Sequence, residues 1–220
     1  MDGDRITSEL LRAAHGDAWQ VAGLLRVGHG GGVAEVPGAR LMASGLPHPQ
    51  WNNGDVHDVA AFDVEAARAW YAARAVPWGV RVPAGAGFPH GRRLFRKRLM
   101  GVRPPGLRPA PEVHGVELRR AGPDDLEAAL GVDVVAFESD AATERPWHEA
   151  NLAAPDVVEV VLATLAGRPV GTAYCLRSDG LAGPAAYVAG VGVLPDARGR
   201  GVAAAMSWWR NFRTTRSSAL

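Results

Sequence analysis

The stretch from Val188 to Ala204 constrains the fold of this chain more than any other. Val188-Ala-Gly-Val-Gly-Val193 reads as a buried strand, Pro195 marks its exit, Arg198-Gly-Arg-Gly201 forms a glycine-arginine loop, and Val202 to Met206 begins a helix. A helix start presents backbone N–H groups without intrahelical partners and the positive end of a dipole. Glycines at that point let an anion such as a phosphate approach the bare backbone. The alternatives are a glycine-rich turn that only reverses the chain, or an arginine-glycine tract that binds nucleic acid. The second is disfavoured because such tracts are long and disordered, whereas this loop lies between a buried strand and an apolar helix.

A length of 220 residues allows one large domain or two small ones. The net charge of +1 supplies no global field to recruit nucleic acid or a membrane surface. Lys97 is the sole lysine, a bias we assign to a GC-rich genome rather than to function. Cys175 is the sole cysteine, which excludes an internal disulfide and a cysteine metal cluster. The acidic start Met1-Asp-Gly-Asp-Arg5 lacks the layout of a secretion signal, and no apolar run approaches the roughly 20 residues of a membrane helix. The expectation is a cytoplasmic protein with no metal.

Arg103 to His114 carries four prolines and a glycine and cannot continue a helix or a central strand. Basic residues outnumber acidic ones before it, and the reverse holds after it. We therefore expect an N-terminal α/β domain at 1–102, a linker at 103–113 and a second domain at 114–220. In the first, Thr7 or Ser8 caps a helix reaching about Arg26, Val33–Val36 and Arg40–Ser44 are short strands, Gln50–Gly54 is a turn, Asp63 caps a helix over Val64–Arg74, and Trp78–Val82 is a strand. In the second, the order is a strand at Val116–Arg119, a helix from Pro123, a short helix over Pro146–Leu152, a hairpin of Val157–Leu165 with Val170–Leu176, a turn at Ser178–Gly180, and the strand Ala185–Val193 leading into the loop.

Arg198, Gly201 and Ala203 match the Gln/Arg-x-x-Gly-x-Gly/Ala signature of motif A in the GCN5-related N-acetyltransferases, and the element order from Val116 to Met206 resembles the first two thirds of that fold. The resemblance implies an α/β (α+β) fold with a mixed, mostly antiparallel sheet flanked by helices. The Ala-Arg-Ala-Trp-Tyr run ending at Tyr71 and Val76-Pro-Trp-Gly-Val-Arg-Val82 are similar to the N-terminal half of tandem members from actinobacteria, here without a motif A. That half is expected to be a smaller, degenerate copy that serves packing. The family continues past motif A with a strand that walls the coenzyme cleft, a further helix and closing strands. Only Ser207 to Leu220 remains here, so the sequence suggests a truncated domain with Trp208, Trp209 and Phe212 uncovered and an unpaired sheet edge open to self-association.

The resemblance implies transfer of an acetyl group from acetyl-CoA to an amine on a small molecule or a peptide. Val191, Gly192, Val193, Arg198, Gly199, Arg200, Gly201, Val202, Ala203 and Ala204 would hold the coenzyme: the strand offers backbone groups to the pantetheine arm, with Gly192 as its bulge, and the loop takes the pyrophosphate. The Val193 N–H would serve the oxyanion. The family's usual acid, a tyrosine beyond the next strand, has no counterpart, and the strand holds no acid or histidine, so the candidates for the base are Glu138, Glu144 and His148, each with a solvated surface position as its alternative. The rival reading is a coenzyme-binding remnant without turnover. His29-Gly-Gly-Gly32 imitates a lipase oxyanion loop but lacks its Gly-x-Ser-x-Gly partner, and His48, His57 and His90 lack metal-ligand spacing. Arg92 to Arg98 reads as a solvated strand edge or a contact for the coenzyme phosphates or an acidic partner, and Cys175 as a small core residue.

Overall fold

A computed structural model describes residues 6–103, 106 and 112–209. Most of the expected linker and the tail 210–220, including Phe212, lie outside the described residues. Two four-stranded sheets organise the rest.

In the first half, α1 (Ser8–Leu24) starts at Thr7, whose Oγ1 accepts from the Leu10 N–H at 3.1 Å. β1 (Gly32–Val36), β2 (Ala39–Ala43) and β3 (Asn52–Val56) form an antiparallel meander, and β4 (Gly79–Arg81) returns parallel to β3 after α2 (Val64–Ala72). β3 corrects the turn read at Gln50–Gly54. Asn52 is fully buried there because its side chain is saturated: Nδ2 donates to the Leu46, His48 and Pro77 carbonyls, and Oδ1 accepts from the Ser44 N–H and Oγ. A strand can bury an asparagine when every polar atom finds a partner.

In the second half, β5 (Val116–Arg120) leads to α3 (Leu126–Phe137) and α4 (Ala141–Leu152), then β6 (Val158–Leu165), β7 (Arg168–Gly180) and β8 (Gly183–Val193) complete an antiparallel sheet in the order β5-β6-β7-β8. α4 begins a turn earlier than read, because Asp140 caps it through the Thr143 N–H at 2.8 Å and Pro146 falls inside the helix. β7 continues through Ser178–Gly180, so that expected turn is strand. α5 (Val202–Ser207) closes the described elements.

The halves share a core. Ala18, Trp19 and Ala22 of α1 pack with Trp147, Leu152, Val158, Val160 and Leu176 of the second half. Buried Arg26 lies with its Cζ 3.7 Å from the centre of the Trp147 ring and donates to the Trp147 carbonyl at 3.0 Å and to Asn151 Oδ1 at 2.7 Å. The opposite face of the second sheet packs Val161, Ala173 and Cys175 against Val202 and Met206 of α5. α1, α3 and α4 thus cover one face of that sheet and α5 the other.

Candidate functional site

β8 runs in regular register with β7 from Gly183↔Gly180 to Ala189↔Tyr174, then resumes at Gly192↔Thr172 with one extra residue on β8. Gly190, at φ +57°, absorbs the bulge, and the Tyr174 ring occupies the space its Cβ would need. The bulge glycine is therefore Gly190, not Gly192. Gly192 is required for another reason: a Cβ there would sit 2.7 Å from Asp133 Oδ1 and 3.1 Å from Ala136 Cβ, so glycine lets α3 lie against the strand. The Leu194 N–H donates to the Val170 carbonyl at 2.9 Å. The alternation of an antiparallel ladder then turns the Val193 N–H and C=O toward the outer edge of β8.

Beyond a 3-10 turn at Pro195–Ala197 comes the loop, with Gly199 at φ +75° and Gly201 at φ +87°. Both angles lie in the left-handed region that favours glycine. The Ala205 N–H closes the first helical bond onto the Gly201 carbonyl at 2.9 Å, leaving the N–H groups of Val202, Ala203 and Ala204 ahead of it. Gly199, Arg200, Gly201, Ala203 and Ala204 are exposed, whereas Val202 is buried and anchors the helix; Val191 packs into the same core. Arg198 works as a clasp. Its Nε donates to the Val193 carbonyl at 3.0 Å and its Nη2 to the Ala136 carbonyl at 3.1 Å, tying the loop to β8 and to the end of α3.

In the loop between β3 and α2 the Ala60 and Ala61 N–H groups donate to Asp58 Oδ1 at 3.0 and 3.1 Å, and the Ala66 N–H donates to Asp63 Oδ1 at 2.9 Å.

Beneath Gly192 the structure gathers titratable groups on the α3 and α4 side. His148, 2% exposed, sets Nε2 at 2.9 Å from Oδ2 of Asp133, which is 5% exposed. The contact is short but poorly directed for a ring N–H and is a close polar contact rather than a formed hydrogen bond; Asp133 Oδ1 has no hydrogen-bond partner among the described residues. Burial pushes the Asp133 carboxyl up from its ordinary value, opposed by His148. Burial also pushes up Glu144, opposed by Ser139, with the Asp133 charge adding to the rise. His148 therefore corrects the reading of a solvated surface residue. Glu138 stays outside the cluster, exposed at the left-handed C-cap of α3 with φ +54°. Asp133 was missed, although it shares the helical stripe of Leu126, Ala129 and Leu130, where an acid needs a partner or a function.

Elsewhere, Cys175 is fully buried and burial pushes its thiol up to about 12. Arg92 to Arg98 is exposed and lacks secondary structure, so the run is no strand edge. Trp209 is not left uncovered: its Nε1 donates to Glu159 Oε1 at 3.0 Å. A surface depression of about 430 Å³ lined by Arg120, Pro123, Leu152 and Pro155 lies on the β5 side, three strands from the β8 edge. No helix among the described residues is long and apolar enough to cross a membrane.

Residues 126–208 match the family model described as acetyltransferase (GNAT) family. Among solved structures, a GCN5-related N-acetyltransferase from Kribbella flavida aligns over 91% of this chain and 80% of its own at 23% identity and a TM-score of 0.62. An Agrobacterium tumefaciens protein described as an acetyltransferase is 35% identical over 40% of this chain and 65% of its own, with a TM-score of 0.34. A Pyrococcus horikoshii protein described in the same way is 23% identical over 44% of this chain, with a TM-score of 0.39, and the match spans only 33% of that protein. No curated protein matches the chain. The Kribbella alignment shows the fold, and the family match at residues 126–208 contains β8, its bulge, the glycine loop and the start of α5 together, so this segment is similar to the acetyltransferase (GNAT) family.

Proposed function

We propose that the chain is an N-acetyltransferase that moves the acetyl group of acetyl-CoA to an amine on a small molecule or peptide. The observation that carries this reading is a single continuous unit inside the family match: an outward-facing Val193 N–H, the Gly190 bulge and a loop exposed at Gly199, Arg200 and Gly201. The loop fits a pyrophosphate because Gly199 meets nothing within 4 Å where a Cβ would be and the N–H groups of Val202 to Ala204 precede the first helical bond. Acetyl-CoA supplies the activated thioester. The chain's own residues do the rest. Arg198 fixes the loop against β8, the Val193 N–H donates to the developing oxyanion, and the cluster of Asp133, His148 and Glu144 takes the proton released as the N–C bond forms and the C–S bond breaks. A carboxyl raised by burial is suited to that task because its proton affinity moves toward neutral pH.

We further propose that residues 1–102 form a degenerate copy of the same unit, joined through 103–113. Both halves contain a three-stranded antiparallel meander followed by a helix, and in the first half the Asp58 and Asp63 carboxylates accept from the loop and helix-start N–H groups themselves.

The second reading, a coenzyme-binding module without turnover, is favoured by the near-complete burial of Asp133 and His148. Thiol release from acetyl-CoA with a panel of amines separates the two. We expect turnover in the unaltered chain and a loss of roughly 100-fold in Asp133→Asn with coenzyme affinity unchanged. Coenzyme binding with no turnover on any amine would leave the binding-module reading.

A further inference from the structure

Among the described residues, the seam between the halves gathers more cations than carboxylates around Asp55. Asp55 of β3 is approached by Arg12 at 3.4 Å, Arg40 at 3.5 Å and Arg81 at 4.0 Å. Two of these have better partners: Arg40 pairs with Asp17 at 2.6 Å and Arg12 donates to the Val56 carbonyl at 2.8 Å. Arg81, the last residue of β4, has none among the described residues. Its Nε and Nη1 are shielded from water without a hydrogen-bond acceptor there, while the side chain as a whole keeps 22% exposure.

A second cation converges on the same place. Arg81 Cζ lies 5.6 Å and Lys97 Nζ 5.9 Å from the centre of the Trp19 ring, and Lys97 arrives from an exposed segment without secondary structure. His15, whose ring centre is 5.0 Å from that of Tyr187 on β8, adds no charge to the place, because burial, then Arg81 and Lys97, hold it neutral with its pKa lowered to about 2. Lys97 is itself pushed down, first by burial and then by Arg81. Buried donors without acceptors beside a second cation are the arrangement that a carboxylate completes.

We propose that Arg81 and Lys97 bind a carboxylate on the acceptor. This rests on the acetyltransferase reading and narrows it. Tyr187 is six residues before Val193, whose N–H would serve the oxyanion, and at about 3.3 Å per strand residue the two positions are about 20 Å apart. That separation is too long for the amine and carboxylate of one α-amino acid. It fits a short extended peptide that carries its free amine at one end and its terminal carboxylate at the other.

Hexaglycine and hexaglycinamide, each about 20 Å long when extended, differ in that carboxylate alone and serve as the probes. Calorimetric titration of the full chain is expected to show hexaglycine binding at least about tenfold more tightly than the amide, since one charge-assisted pair is worth that much. Arg81→Met and Lys97→Met should each remove the preference. Arg81→Met deletes a group with two unsatisfied donors, so its melting temperature should not fall, and Lys97→Met changes only an exposed side chain. Equal binding of the two peptides, no binding of either, or an unchanged preference in both variants would overturn the proposal. A preference for hexaglycine without acetyl transfer to it would count against the transferase reading and leave the carboxylate site standing.

Discussion

His15 shows how one residue couples the seam to pH. Its Nε2 accepts from Trp19 Nε1 at 3.1 Å, which requires the neutral ring, and burial with Arg81 and Lys97 nearby lowers its pKa from 6.5 to about 2. The unfolded chain takes the proton near the ordinary value while the folded chain refuses it. Stability from this group is therefore complete above about pH 6.5 and drains as pH falls, by up to about 1.4 kcal/mol per unit. Urea unfolding at about pH 7 and about pH 5 should show the unaltered chain losing up to about 2 kcal/mol more than His15→Gln, which keeps an acceptor and cannot titrate. Parallel losses would mean that the histidine is protonated in the fold. The sequence carried little of this, because His15 is set by Arg81 and Lys97, which are distant in sequence. Asp133 was more legible: an acid on an apolar helical stripe is visible in one dimension, but its place under Gly192 is not.

At the scale of elements, the unit from β8 through the glycine loop to α5 was legible because every residue type in it answers a local demand. Strand formers precede a proline exit, glycines hold positive φ, and alanines carry the helix. The bulge was displaced by two residues, since Gly190 and Gly192 are both needed and only packing shows that one meets Tyr174 and the other Asp133. β3 was missed because Asn52, Asn53 and Gly54 are turn formers in isolation and become a buried strand only when distant carbonyls satisfy them. Glu138 offers a test at this scale. It ends α3 in the left-handed region, with the Ser139 N–H donating back to the Val134 carbonyl at 3.1 Å. Glu138→Gly should stabilise the fold by about 0.5–1 kcal/mol and leave acetyl transfer unchanged, as expected for a cap. A raised urea midpoint with normal turnover checks this; lost turnover would restore Glu138 as a catalytic candidate.

Over the whole molecule, α1 joins what the sequence divides. The proline-rich stretch suggests a boundary along the chain, yet the core formed by Trp19, Trp147 and Leu176 joins residues on either side of it, and composition cannot show which surfaces meet. Arg26 is the polar part of that junction, donating to Ala22, Trp147 and Asn151. Arg26→Leu should cost about 3 kcal/mol, since it leaves buried acceptors without a donor. Tryptophan fluorescence and far-ultraviolet dichroism of the unaltered chain should report one shared unfolding transition. Separate transitions, with only the first destabilised by the variant, would show that the halves fold independently.

The central claim is that the strand-loop-helix unit of the second half holds a coenzyme, and the most direct measurement is the melting temperature with and without acetyl-CoA, for the unaltered chain and for Gly201→Glu. Gly201 sits at φ +87° at the start of α5, so the variant both strains the loop and places a carboxylate where the pyrophosphate would lie. Acetyl-CoA at about 100 times its dissociation constant should stabilise the unaltered fold by roughly 2.7 kcal/mol and leave a folded Gly201→Glu chain unmoved. No shift in the unaltered chain, or the same shift in both, would contradict the account.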